Sequence, residues 1–154
     1  MPDDFKWLKL NQLDQQAQQW RKAAEEAPRP KGGWLRALRT ALGMTTGQLA
    51  GRLGTSQPWI NQLEKGEVQG TASVASLQRA AEALGCDLVY ALVPRKPLEE
   101  MLRQQAEAVA KQELMTVGHS MALEQQRPSR EVEAAQLKRL RDELLDGPWR
   151  RLWK

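Results

Sequence analysis

GTSQPWINQLEKG, Gly54 to Gly66, puts a proline and a tryptophan side by side in what otherwise reads as a short helix. Inside a helix, proline removes a hydrogen bond and clashes with the preceding turn. The conflict disappears if Ser56 is the N-cap. Pro58 then falls in the first turn, where backbone N–H groups have no intrahelical partner. The stretch therefore reads as a helix that starts sharply after Gly54 and leaves its first turn open.

The residues before it complete a pattern. TTGQLAGRLG, Thr45 to Gly54, has a threonine able to N-cap, a periodic body and a closing glycine. Two short helices joined this tightly form a helix-turn-helix, which needs a small residue at the crossing, a turn residue and inward apolar anchors. Ala50 meets the first need and Gly54 the second, with Leu49, Leu53, Ile60 and Leu63 as anchors. The start of the second helix of such a pair is the part that approaches base edges. Gln57 and Asn61 are suited to adenine, Pro58 to a thymine methyl, and Gln62 is a further polar candidate. Thr46, Gln48, Ser56, Trp59 and Lys65 are candidates for phosphate contact. The plainer alternatives are a solvated polar face, and for Trp59 a place in the core or a dimer contact.

Around this pair, WLRALRTALG (Trp34–Gly43) and SVASLQRAAEALG (Ser73–Gly85) read as two more short helices, the latter capped by Ser73 or Thr71. A turn is expected over EVQGTA, Glu67 to Ala72. Leu10, Leu13, Ala17, Trp20 and Ala24 line one face of an N-terminal helix, which APRPKGG ends. CDLVYALVP, Cys86 to Pro94, differs from everything else. Leu88, Tyr90 and Leu92 alternate with Val89, Ala91 and Val93, so both faces are apolar and a short β-strand is expected. A lone strand leaves its backbone unpaired, so the same strand of a second copy is the economical partner. Leu98–Gln126 and Arg130–Gly147 are long helical runs, the first with a weak point at Gly118, and WRRLWK follows. The bland reading of that tail is packing by Trp149 and Trp153.

The expected fold is mainly α, a helix-turn-helix bundle with one short strand and flanking helices. Its divisions are an amphipathic helix and link over 1–31, the bundle over 32–85, the strand over 86–94 and a helical extension over 95–154. Net charge is +4, a mild basic excess compatible with a polyanionic partner. A single cysteine, Cys86, excludes an internal disulfide framework, and a single histidine, His119, argues against a His-based metal site. No cofactor or metal is expected. Nor is catalysis, since phosphate-cradling loops, metal-ligand spacings and an activated nucleophile are all missing. No apolar run is long enough for a membrane span, and MPDDFKWLKLNQ lacks the features of a secretory signal. A cytoplasmic location is expected.

Trp34 to Gly85 resembles the DNA-binding domain of lambda-type phage repressors and the XRE regulators, through LRALRTALGMTTGQLAGRLGTSQPWINQLEKG and SLQRAAEALG. The resemblance implies a bundle whose third helix enters the major groove, and an ion pair between Arg39 and Glu64. GWLRALRTALGM and EKGEVQGTASVASLQRAAEALGCDLVYALVPRKPLEEM are similar to the bacterial mobile mystery protein A family. That resemblance implies a neighbouring Fic-domain protein, mobile mystery protein B, and a toxin–antitoxin-like pair. The expected function is a homodimeric repressor binding a palindromic double-stranded operator, and autoregulation fits it. The alternative is an antitoxin that binds a partner enzyme through its terminal helices. Fic-inhibitory helices carry Ser/Thr-x-x-x-Glu-Gly/Asn. Ser120–Glu124 and Ser129–Glu133 match its start, but Gln125 and Ala134 break its end.

Overall fold

The computed structural model describes residues 2–122 and 128–153. Caps and apolar periodicity divide the chain into α1 (Pro2–Glu26), α2 (Trp34–Ala41), α3 (Thr46–Leu53), α4 (Gln57–Gln69), α5 (Val74–Ala83), α6 (Leu98–Ala122) and α7 (Arg130–Asp146). A 3-10 helix, Trp149–Trp153, follows. The chain is mainly helical. It separates into two compact units, Trp20–Leu92 and Met1–Gln19 with Val93–Lys154, the boundary falling inside α1.

In Trp20–Leu92 the core is Leu35, Leu49, Ala50, Ile60, Leu63, Ala80 and Leu84. Each of α2 to α5 contributes to it, so none of these short helices stands by its own propensity. Thr45 and Gln48 form a reciprocal capping box at the start of α3. Ser56 caps α4 and Ser73 caps α5, each accepting a backbone N–H three residues on. α4 continues past Gly66 to Gln69, where a turn was expected, and ends at Gly70. Gly66 marks a close approach and not a helix end. A Cβ there would lie 3.1 Å from Thr71 Oγ1 and 3.2 Å from the Ala72 nitrogen.

The link before α2 is fastened to α4 at both ends. Arg29 donates to the carbonyls of Glu67 (3.0 Å) and Val68 (3.4 Å), which lie in the last turn of α4. In return the Glu67 carboxylate accepts the Trp34 and Leu35 N–H groups at 2.6 and 3.0 Å. Gly33, at the N-cap of α2, has no side chain with which to cap it, so an anion from another helix does the work. Gly33 has φ 84°, and a Cβ on it would stand 2.7 Å from Glu67 Oε2. Glu67→Gln is expected to cost about 1–2 kcal/mol in urea denaturation, from the loss of a charged cap. Gly33→Ala should cost less in a Glu67→Ala background than alone, because the clash is then gone and only backbone strain remains.

The expected strand over 86–94 is not formed. Cys86–Pro94 has no regular secondary structure, and no strand occurs among the described residues. The physical reason is the missing ladder: among the described residues no second strand pairs its backbone. Leu88 and Val93 are half-buried, whereas Val89, Tyr90, Ala91 and Leu92 are exposed.

In the other unit, α6 packs along α7, and Leu102, Ala106, Leu145 and Leu152 form the core with Trp7, Leu10, Val109, Leu144 and Trp149 against it. Asp14 caps α6 as Glu67 caps α2, accepting from Leu98 N (2.7 Å) and Glu99 N (3.3 Å). α6 runs through Gly118 without a break. Trp149 donates its indole N–H to Leu145 O at 2.7 Å and stands edge-on to Trp7, with centroids 5.0 Å apart. Leu152 is fully buried, while Trp153 is 59% exposed. Among the described residues no helix is long and apolar enough to cross a membrane.

Candidate nucleic-acid interface

α3 and α4 meet through Gly54, whose φ of 65° closes α3 in the left-handed conformation. Leu49, Ala50, Ile60 and Leu63 are buried on the facing sides of the two helices, with Leu53 half-buried. These contacts leave the opposite side of α4 in water. Gln57, Asn61 and Lys65 are exposed, and their i, i+4, i+8 spacing puts them on one stripe. Pro58 and Gln62, also exposed, make the adjacent stripe.

The first turns of α3 and α4 are tied together. Gln57 Nε2 donates to Thr46 Oγ1 at 2.8 Å. An amide has two N–H donors and a carbonyl oxygen, so Gln57 keeps one donor and its acceptor for a further partner. Gln48 accepts the Thr45 N–H at 2.8 Å within the capping box, which keeps its NH2 group available. Ser56 Oγ accepts the Trp59 N–H at 3.3 Å. Trp59 is half-buried, packs against the core and has the Arg79 guanidinium 5.9 Å from its ring centroid. Its placement matches the core alternative better than an outward indole.

Arg39 and Glu64 lie under the exposed stripe. Arg39 Nε donates to Glu64 Oε1 at 2.6 Å and Nη2 to Oε2 at 3.2 Å, a two-pronged pair. Nη1 donates to Met44 O at 2.8 Å. Both residues are 8% exposed. The hydrogen bonds that Arg39 donates to the Glu64 carboxylate raise its pKa above the ordinary value, against the opposing effect of burial. The guanidinium therefore stays charged at any working pH and holds α2 to α4 as a fixed cation.

A cleft of about 620 Å³ opens beside this pair. Asn61 and Lys65 line it from α4 and Thr46 from α3; Lys31 and Arg36 bring two more cations from the link and α2. Those last two were not among the candidates drawn from the sequence. The signal for Arg36 was its i, i+3 relation to Arg39, which puts both on one face of α2. Lys31 had no local signal, since its position depends on how Arg29 and Glu67 fasten the link. Lys31, Arg36 and Lys65 are all exposed.

Residues 32–90 match the family model of a helix-turn-helix domain. The chain carries a helix-turn-helix domain. No curated protein and no solved structure matches the chain. Within this domain α3 is the first helix of the motif and α4 the second, so the Gln57–Asn61–Lys65 stripe belongs to the helix that such domains present to the major groove. A domain of this kind is the mark of a DNA-binding regulator.

The remaining candidates fall outside this interface. Ser129 is the N-cap of α7, accepting the Val132 N–H at 3.4 Å, and Glu133 is exposed in that helix's first turn. The Ser120–Glu124 match ends outside the described residues, as does Gln125. Cys86 is half-buried against the core, its thiol 3.6 Å from Leu84 O.

Proposed function

We propose that this protein is a sequence-specific transcriptional repressor that binds a palindromic double-stranded DNA operator as a homodimer. The observation that carries this reading is the exposed Gln57–Asn61–Lys65 stripe of α4, flanked by the cationic cleft of Lys31 and Arg36. Gln57, Pro58, Asn61 and Gln62 read bases. Thr46, Gln48, Ser56 and Lys65 position the backbone, joined by Lys31 and Arg36. The protein acts by binding, without a cofactor or a catalytic step. The homodimer rests on residues 88–93. Tyr90 is 72% and Leu92 94% exposed, an apolar surface a second copy would cover. Antiparallel pairing of the two copies would also supply each backbone with its missing ladder.

The resemblance to mobile mystery protein A supports a setting in the bacterial cytoplasm, autoregulation, and an operon shared with a Fic-domain protein. A second reading, an antitoxin that binds such a partner directly, is favoured by one observation. Met1–Gln19 and Val93–Lys154 form a compact unit entirely outside the matched residues 32–90. Capture of the neighbouring Fic-domain protein by the purified full chain tests it.

The repressor reading is tested by mobility shift and footprinting on DNA upstream of its own gene, against scrambled DNA. A protected palindrome with half-sites about one helical turn (~34 Å) apart is expected. Uniform, sequence-independent retardation would overturn it. Gln57→Ala or Asn61→Ala should each remove about 1–3 kcal/mol of discrimination at one or two operator positions. Competition with single-base operator variants measures this directly.

A further inference from the structure

The unit containing the chain ends carries a groove of about 400 Å³. Leu10 and Leu13 of α1 form one wall, Met101 of α6 the other, with Trp149 and Trp153 completing the lining. Leu13 is 55%, Met101 40% and Trp153 59% exposed, so three large apolar side chains on one trough face water. The volume lies within the range of small-molecule sites, about 300–1,000 Å³, which are mostly apolar with a few polar groups that fix orientation.

Among the described residues the charged groups lining the groove are of one sign. Lys6 and Lys9 line the α1 edge, and no carboxylate lines the groove among the described residues. Lys9 Nζ stands 4.5 Å from the Phe5 ring centroid, and Lys6 Nζ lies 3.3 Å from Gly147 O, so both ammonium groups are held along that edge. On α6, the nearby Glu99 and Glu100 are paired with Arg103 (2.8 Å) and Lys96 (3.3 Å). Their charge is offset locally and does not oppose an anion in the trough. An apolar channel with a cationic rim complements a molecule with an apolar chain and one terminal anion.

We propose that this groove binds a free amphiphilic carboxylate, its chain lying over Leu13, Met101 and Trp153 and its head group at Lys6 and Lys9. The site does not depend on the DNA-binding reading. The test is calorimetric titration of the full chain with dodecanoate below its micellar concentration, beside dodecyltrimethylammonium, which has the same tail and the opposite charge. Saturable binding of one dodecanoate per chain is expected, with the cation weaker by about tenfold or more. Leu13→Gln with Met101→Gln should weaken dodecanoate by at least about tenfold. Both positions are exposed, and unchanged far-ultraviolet circular dichroism checks the fold. Lys9→Met, which keeps the apolar stem, should narrow the preference for the anion by about two- to fivefold. Equal binding of the two amphiphiles would overturn the proposal, as would indifference to the Leu13/Met101 pair. Association only with phosphatidylglycerol–phosphatidylcholine vesicles, and not with free dodecanoate, would assign the surface to a membrane and overturn it too.

Discussion

Glu64→Ala is expected to destabilise the helix-turn-helix domain by about 3–5 kcal/mol, read as a fall in the urea midpoint with little change in slope. The size follows from what is left behind. Arg39 is 8% exposed and would keep only the Met44 carbonyl as a partner for its guanidinium. An uncompensated buried cation is far costlier than a lost surface pair. Titration cannot remove that cation. A group with a raised pKa contributes stability that is present below its ordinary value and lost only as pH climbs through the raised one. For Arg39 that window lies beyond working pH, so substitution is the practical probe. The control is Arg39→Met with Glu64→Leu, which replaces both charges by apolar groups and should be much milder than either single change. If Glu64→Ala costs under about 1 kcal/mol, the pair is a solvent-screened contact and not the clamp between α2 and α4. Against a typical stability of about 5–15 kcal/mol, the expected loss leaves roughly 0–12 kcal/mol. For a domain at the low end of that range, operator binding should weaken at 37 °C and recover on cooling, with base preference unchanged.

The legible features were local. Thr45, Gly54 and Ser56 punctuate α3 and α4 within a few residues of where they act, and Leu49, Ile60 and Leu63 carry the helical period. What stayed hidden depended on partners far along the chain. The Glu67 carboxylate caps α2 from 32 and 33 residues away, and Asp14 caps α6 from 84 and 85. Neither carboxylate differs in sequence from a solvated surface acid. Gly66 read as a helix end because glycine is the commonest residue just past a helix C-terminus. Its cause is the returning chain at Thr71 and Ala72, which no local pattern announces. Residues 88–93 failed for a related reason. Alternation describes a side-chain pattern, but a strand is a property of two segments, and the described residues supply no second one. The cationic cleft was half legible. Lys65 stood out on the reading helix itself, whereas Arg36 was hidden on a helix read for its apolar face.

That cleft makes the largest functional prediction. Changing Lys31, Arg36 and Lys65 together to alanine is expected to flatten the salt dependence of DNA binding. Each phosphate contact contributes about 0.9 to the slope of log K against log salt, so three contacts should remove roughly 2.7. The same counterion release makes the loss of affinity on the order of a hundredfold at 0.15 M salt. The fold should survive, because all three side chains are exposed and none has a carboxylate partner among the described residues. Since phosphates carry no sequence, the loss should be nearly equal for operator and scrambled DNA. That equality separates these cations from Gln57 and Asn61, whose removal should spare scrambled DNA. Filter binding or fluorescence anisotropy across about 50–300 mM salt measures both slopes. An unchanged slope would place the phosphate track elsewhere on the domain. A loss confined to the operator would make one of the three a base reader; Lys65, on the same stripe as Gln57 and Asn61, would be the first to revert singly.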